Sequence, residues 1–229
     1  MPGGGDGGGD AGGAGATGGA ALDAGAGGVT GGGDAAASGF VCNQVTAMTL
    51  TAEWYNAGFE SGVVDSRWQL KAMEHGYITE WANPDSTFWS APVTSPCAQQ
   101  TTSPDRIVLT VLSWTITTQA DWDTQITDAI ANLMTKYPAV RRIDLLTVIR
   151  GPNNMLCPTP PAAGETIAMP AELDAAIAAV AARSPGFVFA GPKFEAPNCA
   201  AFSGGGPHLT TAGNMNMAKM ISAYFAAIQ

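Results

Sequence analysis

Ile107-Val108-Leu109-Thr110-Val111-Leu112 is a near-continuous run of β-branched and apolar residues, and its reading decides the fold. A strand with one wet face alternates apolar and polar side chains, whereas a strand covered on both faces does not. The run therefore predicts the central strand of a buried parallel sheet. Downstream, Trp122, Ile126, Ile130, Leu133 and Met134 recur at helical spacing until Pro138, and residues 143–149 form a fourth strand. Pro170 opens a further helix with Leu173, Ile177, Val180 and Ala181 on one face, residues 187–190 make a fifth strand, and a last helix spans about 212–227. Upstream, residues 40–45 read as the first strand and the stretch around Glu53, Trp54, Tyr55 and Phe59 as a helix. Residues 67–73 read as a short helical piece, and 77–82, ending at Asn83-Pro84-Asp85, as the second strand. Five alternations of strand and helix predict an α/β three-layer sandwich with a five-stranded parallel sheet and right-handed crossovers.

Composition sets the boundaries. Of the 29 glycines, 17 fall in residues 1–38, a segment of Gly, Ala, Asp and little else that has almost no apolar surface to offset its chain entropy. It reads as a disordered tether, and residues 39–229 as one domain. Asp6, Asp10, Asp23 and Asp34 carry four of the formal −9 charges, leaving about −5 for the domain. An acidic chain with no basic patch argues against nucleic acid or an anionic membrane surface as partner. No run of about 18 apolar residues occurs, so no bilayer span is expected. A Gly/Ala/Asp leader ahead of a domain points to a secreted or cell-surface-tethered protein with a lipoprotein-like arm, expected as a monomer.

Cys42, Cys97, Cys157 and Cys199 lack the close pairs of a zinc or thioredoxin site, and their even number suggests two disulfides. Three connectivities exist. Because Cys157 and Cys199 lie in the loops after the fourth and fifth strands, the pairs Cys157 with Cys199 and Cys42 with Cys97 are favoured.

In parallel α/β sheets ligands sit beyond the carboxyl ends of the strands, so the loops at that edge are the place to look. Gly206-Pro207-His208-Leu209-Thr210-Thr211 puts a histidine there, just before the last helix. His208 is placed either for general-base work or for capping that helix. His75, ahead of the predicted second strand, falls at the opposite edge and reads as structural. Trp54, Tyr55, Trp81, Phe88, Trp89 and Trp114 are divided between core and a groove for a sugar or an acyl chain. No HxxxH pattern, carboxylate cluster or phosphate-binding glycine loop is present, so neither cofactor nor metal is expected.

The order of strand–helix units over residues 39–229, with His208-Leu209-Thr210, a nearby glycine and a closing apolar helix, resembles the SGNH/GDSL hydrolase superfamily. Glu53-Trp54-Tyr55-Asn56-Ala57-Gly58-Phe59-Glu60 and Gly206-Pro207-His208-Leu209 are similar to a secreted bacterial branch of it. The resemblance implies an esterase whose nucleophile follows the first strand, whose oxyanion donors include a glycine and an asparagine from later loops, and whose histidine lies near the end. Ala47-Met48-Thr49 occupies the nucleophile position, which makes Thr49 the candidate, with Thr51 competing; either threonine also suits a helix cap. Leu112-Ser113-Trp114-Thr115 brings no asparagine, so Asn153 or Asn154, after the fourth strand, becomes the oxyanion candidate. Gly205 stands where an aspartate would orient the histidine, leaving Glu195 as a substitute.

The reading is an exported ester hydrolase acting on acyl or acetyl esters of a carbohydrate or lipid-like substrate, with His208 as base and Thr49 as nucleophile. The alternative is an inactive module of the same fold that binds a glycan or a protein partner.

Overall fold

The computed structural model describes residues 39–60, 62, 65–98, 103–152, 170–203 and 208–228. Five strands, β1 (Asn43–Met48), β2 (Trp68–Met73), β3 (Arg106–Val111), β4 (Arg142–Thr147) and β5 (Val188–Ala190), pair in the order β2-β1-β3-β4-β5. Every pairing is parallel. β3, from the run around Ile107, is central and all six of its residues are buried. Ile107, Leu109 and Val111 face one apolar layer while Val108 faces the other, the period-two division that a doubly covered strand needs.

Helices cover both faces. α1 (Thr49–Glu60) and α5 (Thr211–Ala227) bring Trp54, Tyr55, Met217, Ile221 and Phe225 against Val45, Leu70 and Val108. α2 (Ile78–Ala82), α3 (Gln119–Lys136) and α4 (Ala171–Arg183) bring Trp81, Trp122, Ile126, Leu133, Leu173 and Val180 against the other face. Burying each of these large side chains contributes roughly 1.5–3 kcal/mol. Thr118 caps α3 by accepting from the Asp121 N–H.

Two elements correct the sequence reading. Residues 67–73, read as a helical piece, form β2; residues 77–82, read as a strand, contain α2. Gln69, Leu70, Lys71, Ala72 and Met73 are good helix formers, yet Trp68 and Leu70 alternate with Gln69 and Lys71 at strand period. Pairing with β1 from end to end decides the outcome. The polar members are satisfied where they point: Gln69 donates to Gln44, and the Lys71 ammonium donates to the Ala91 carbonyl at 2.6 Å. The other segment has β-prone Tyr77, Ile78 and Thr79, but Asn132 binds the carbonyls of Trp81 and Ala82, and the Trp81 indole reaches the Gly76 carbonyl. These contacts hold a helical turn.

The exchange moves the following loop from one edge of the sheet to the other. Glu74, His75 and Gly76 follow β2 and so lie at its carboxyl end, whereas residues 83–89 follow α2. From there the chain returns along the outer side of β2, where Leu70 and Thr94 exchange two backbone hydrogen bonds of 2.9 and 2.7 Å. Cys42 and Cys97 are disulfide-bonded there, one of the two favoured pairs. Cys199 is also disulfide-bonded, and Cys157 lies outside the described residues. Among the described residues no helix is long and apolar enough to cross a membrane.

At the amino edge Arg106 and Asp144 form a fully buried ion pair of 2.8 Å, and the Arg106 guanidinium stacks over Phe225. Nearby, the Asp105 carboxylate accepts the N–H groups of Val41 and Cys42 and pairs with Arg141. That edge is closed by charge pairs; the cleft lies at the other.

Candidate active site

β1 passes into α1 without a connecting residue, so Thr49 opens the helix at the point where the strand leaves the sheet. The order β2-β1-β3 puts this junction beside the place where the chain reverses its direction of travel across the sheet, a geometry that leaves a crevice. The first N–H groups of a helix have no intrahelical partner and carry the positive end of its dipole. Thr49 is therefore well placed beside donors for a developing negative charge.

One turn later stands Glu53. Residues four apart on a helix share a face, so Glu53 and Thr49 point to the same side of α1. Glu53 Oε1 lies 2.6 Å from His208 Nδ1. A carboxylate only accepts, so the ring donates Nδ1–H and its Nε2 is left as an acceptor. The second carboxylate oxygen of Glu53 is buried without a hydrogen-bond partner among the described residues.

His208 is held from behind. Its carbonyl accepts from the N–H and the hydroxyl of Ser203 at 2.8 and 3.1 Å, and the next residue, Leu209, bridges to Phe202. Thr210, not His208, caps α5, accepting from the Gly213 N–H. The capping alternative for the histidine is thereby removed.

Thr49 and His208 line one cleft of about 250 Å³ together with Met48, Leu50, Glu74, His75, Tyr77 and Trp114. On its far wall the Trp114 indole N–H donates to the Tyr77 hydroxyl at 2.9 Å, and that hydroxyl lies 3.3 Å from His75 Nδ1. Trp114 is 43% exposed. His75 has a left-handed backbone, φ 58°, uncommon outside glycine. Its turn is tied down by Gly76 N–H to Met73 O, Tyr77 N–H to His75 O and Ile78 N–H to Leu112 O.

No protein-family profile matches the chain, and no curated protein does. Among the solved structures similar to it are two of low sequence identity. One is of a carbohydrate esterase whose active site is described as displaying divergent catalytic and non-catalytic binding functions: 11% identity and a TM-score of 0.48 over 81% of this chain. This chain spans 64% of that structure's length. The other is of a Lactobacillus plantarum protein: 12% identity and a TM-score of 0.44, covering 82% of this chain and 97% of that one.

Thr49 and His208 thus share a cleft, although no hydrogen bond joins them among the described residues. Thr51 does not: it is buried and its hydroxyl donates to Thr110 at 3.2 Å, which removes it as a competing nucleophile. Asn153 and Asn154 lie outside the described residues. Glu195 is exposed, pairs through its backbone with Arg150, and is not the carboxylate on His208. That carboxylate is Glu53. His75, read as lying at the wrong edge, lines the cleft because β2 precedes it. Of the aromatics proposed for a groove, Trp54, Tyr55 and Trp81 are core, Phe88 and Trp89 pack edge-on against Trp81, and Trp114 alone lines this cleft.

A second cleft of about 160 Å³ opens beside β4 and β5, with Thr147, Asp174 and Lys193 on its wall. Burial would raise the Asp174 carboxyl, but hydrogen bonds and charge from Arg150 and Lys193 outweigh it and hold it below the usual carboxylate range. Its acid is engaged in ion pairs with Arg150 and Lys193.

Proposed function

We propose that the protein is an exported ester hydrolase with Thr49 as nucleophile, His208 as general base and Glu53 as the residue that orients His208. The observation that carries the reading is the 2.6 Å contact between Glu53 Oε1 and Nδ1 of His208, which lines a cleft with Thr49. A nucleophile and a base in one cleft, with an acid on the far nitrogen of the base, is the arrangement that acyl transfer requires.

In the first step the Thr49 hydroxyl oxygen attacks the ester carbonyl carbon while His208 Nε2 takes its proton; the carbonyl pair moves onto oxygen. Glu53 stabilises the imidazolium formed. The tetrahedral intermediate collapses, the leaving alcohol takes the proton from Nε2, and an acyl-Thr49 remains. Water, deprotonated by His208, then releases the acid and restores the hydroxyl. The Thr49 methyl stiffens χ1 and crowds the attack, so turnover is expected to be slow. Export is supported by the Cys42–Cys97 disulfide, since such bonds persist in oxidising compartments.

The test is hydrolysis of short-chain p-nitrophenyl esters and an acetylated sugar by the purified chain, with folded Thr49→Ala and His208→Ala variants. Loss of turnover in both is the expected result. Turnover that survives Thr49→Ala removes Thr49 from its role, and no turnover on any ester favours a module that binds a glycan or a partner in the same cleft.

A further inference from the structure

We propose that His75 is a second catalytic residue of this cleft: its Nε2–H hydrogen-bonds the oxygen that gains negative charge as Thr49 attacks, and Tyr77 and Trp114 act as positioning residues that fix the tautomer. The inference rests on the ester-hydrolase reading above.

The direction of the hydrogen bonds carries it. An indole N–H can only donate, so the Tyr77 oxygen accepts from Trp114. We take the Tyr77 hydroxyl to donate its single proton in turn to the ring nitrogen 3.3 Å away, His75 Nδ1. A ring nitrogen that accepts leaves the proton of the neutral imidazole on its partner, Nε2. The Glu74 carboxylate stands 3.6 Å from Nε2, beyond hydrogen-bond reach, so the N–H there is not taken up by it.

His208 is polarised the opposite way, with Nδ1–H committed to Glu53 and Nε2 bare. The cleft therefore holds two histidines of opposite tautomer, one a proton acceptor and one a hydrogen-bond donor. Acyl transfer calls for both, because the attacking hydroxyl loses a proton while the carbonyl oxygen gains charge. The donor is not a proton source: the hydrogen bond forms as charge develops and relaxes when the intermediate collapses.

Three other donors of that wall are engaged. The Gly76 N–H is bound to Met73 O, the Tyr77 N–H to His75 O and the Trp114 indole to Tyr77. The left-handed backbone at His75 fits this role. Strained residues cluster where a side chain has to be held in one place, and here three backbone hydrogen bonds hold the turn.

The test uses the full chain on an ester that it turns over, with ¹⁵N spectra of the histidine rings read alongside. His75→Ala is expected to lower kcat by about 10²–10³ with KM within about threefold, and Tyr77→Phe by about tenfold. His75→Gln, which restores an N–H at similar reach, should recover most of the loss. At neutral ring charge the spectra should show Nδ1 unprotonated in His75 and Nε2 unprotonated in His208, and Tyr77→Phe should scramble only the former. Full kcat in His75→Ala, with turnover still lost in Thr49→Ala and His208→Ala, overturns the role of His75 and leaves the ester-hydrolase reading standing. Turnover that persists in Thr49→Ala overturns that reading instead. A protonated Nδ1 on His75 overturns the inference whether or not any ester is cleaved.

Discussion

Replacing Glu53 by glutamine keeps the size of the side chain and a carbonyl oxygen that can accept from His208 Nδ1, and removes only the charge. Glu53 Oε1 is 2.6 Å from Nδ1. The centres of the two charges are then about 4 Å apart when His208 has taken the Thr49 proton, and an effective dielectric near 20 makes their attraction about 4 kcal/mol. The side chains are 27% and 48% exposed, so solvent screening roughly halves this, to about 2 kcal/mol. At about 1.4 kcal/mol per decade, Glu53→Gln should lower kcat/KM by about 30-fold. Glu53→Ala also frees the ring to take the wrong tautomer and should cost about 10³-fold or more. The assay is initial-rate hydrolysis of a p-nitrophenyl ester across a substrate range, with folding checked by near-UV circular dichroism. Folded Glu53→Gln and Glu53→Ala enzymes with wild-type kcat/KM would refute the chain of reasoning from contact to catalysis.

Gly76→Ala should cripple activity and lower stability together. A Cβ at that position would come 2.6 Å from the Ala47 carbonyl oxygen and 3.1 Å from that of Met73, both backbone, so the His75 turn must move; ester turnover and thermal unfolding would both report it. Removing the disulfide with Cys42→Ala and Cys97→Ala releases a loop with a sequence separation of 55. The chain-entropy argument makes this about 4 kcal/mol, measurable as a lower midpoint in guanidinium unfolding. Acid should destabilise the fold through Asp105. Burial would raise that carboxyl, but hydrogen bonds from Arg141, Cys42 and Val41 together hold it below the unfolded value. Its stabilisation is thus complete above about pH 4–5 and is lost as pH falls through the folded value, so Asp105→Asn should flatten the fall in Tm below about pH 5.

How much of this was legible beforehand differs from residue to residue. The doubly covered run at Ile107 announced the sheet, and the 3.6-residue stripes announced α3, α4 and α5, because long periodic segments carry their own evidence. Residues 68–73 did not, since five helix-forming side chains outweighed a short alternation that only pairing with β1 makes decisive. That single exchange hid His75, whose edge of the sheet is set by whether a strand comes before or after it. For Glu53 the available signal is its place four residues after Thr49 on a helix, which puts both on one face without naming a partner. Its partner lies 155 residues away in sequence, a distance over which spacing carries no information.

The disulfide at the rim of the sheet has a further consequence. β2 is an edge strand, and an unpaired edge is a template on which other chains can add strands. Here the returning segment already occupies part of that edge at Leu70 and Thr94, and the Cys42–Cys97 bond anchors the segment beside it. At the opposite edge β5 has only three residues. Reduction would therefore do more than loosen the fold. It would unpin the guard over β2 and turn a self-contained sheet into one open to edge-to-edge aggregation.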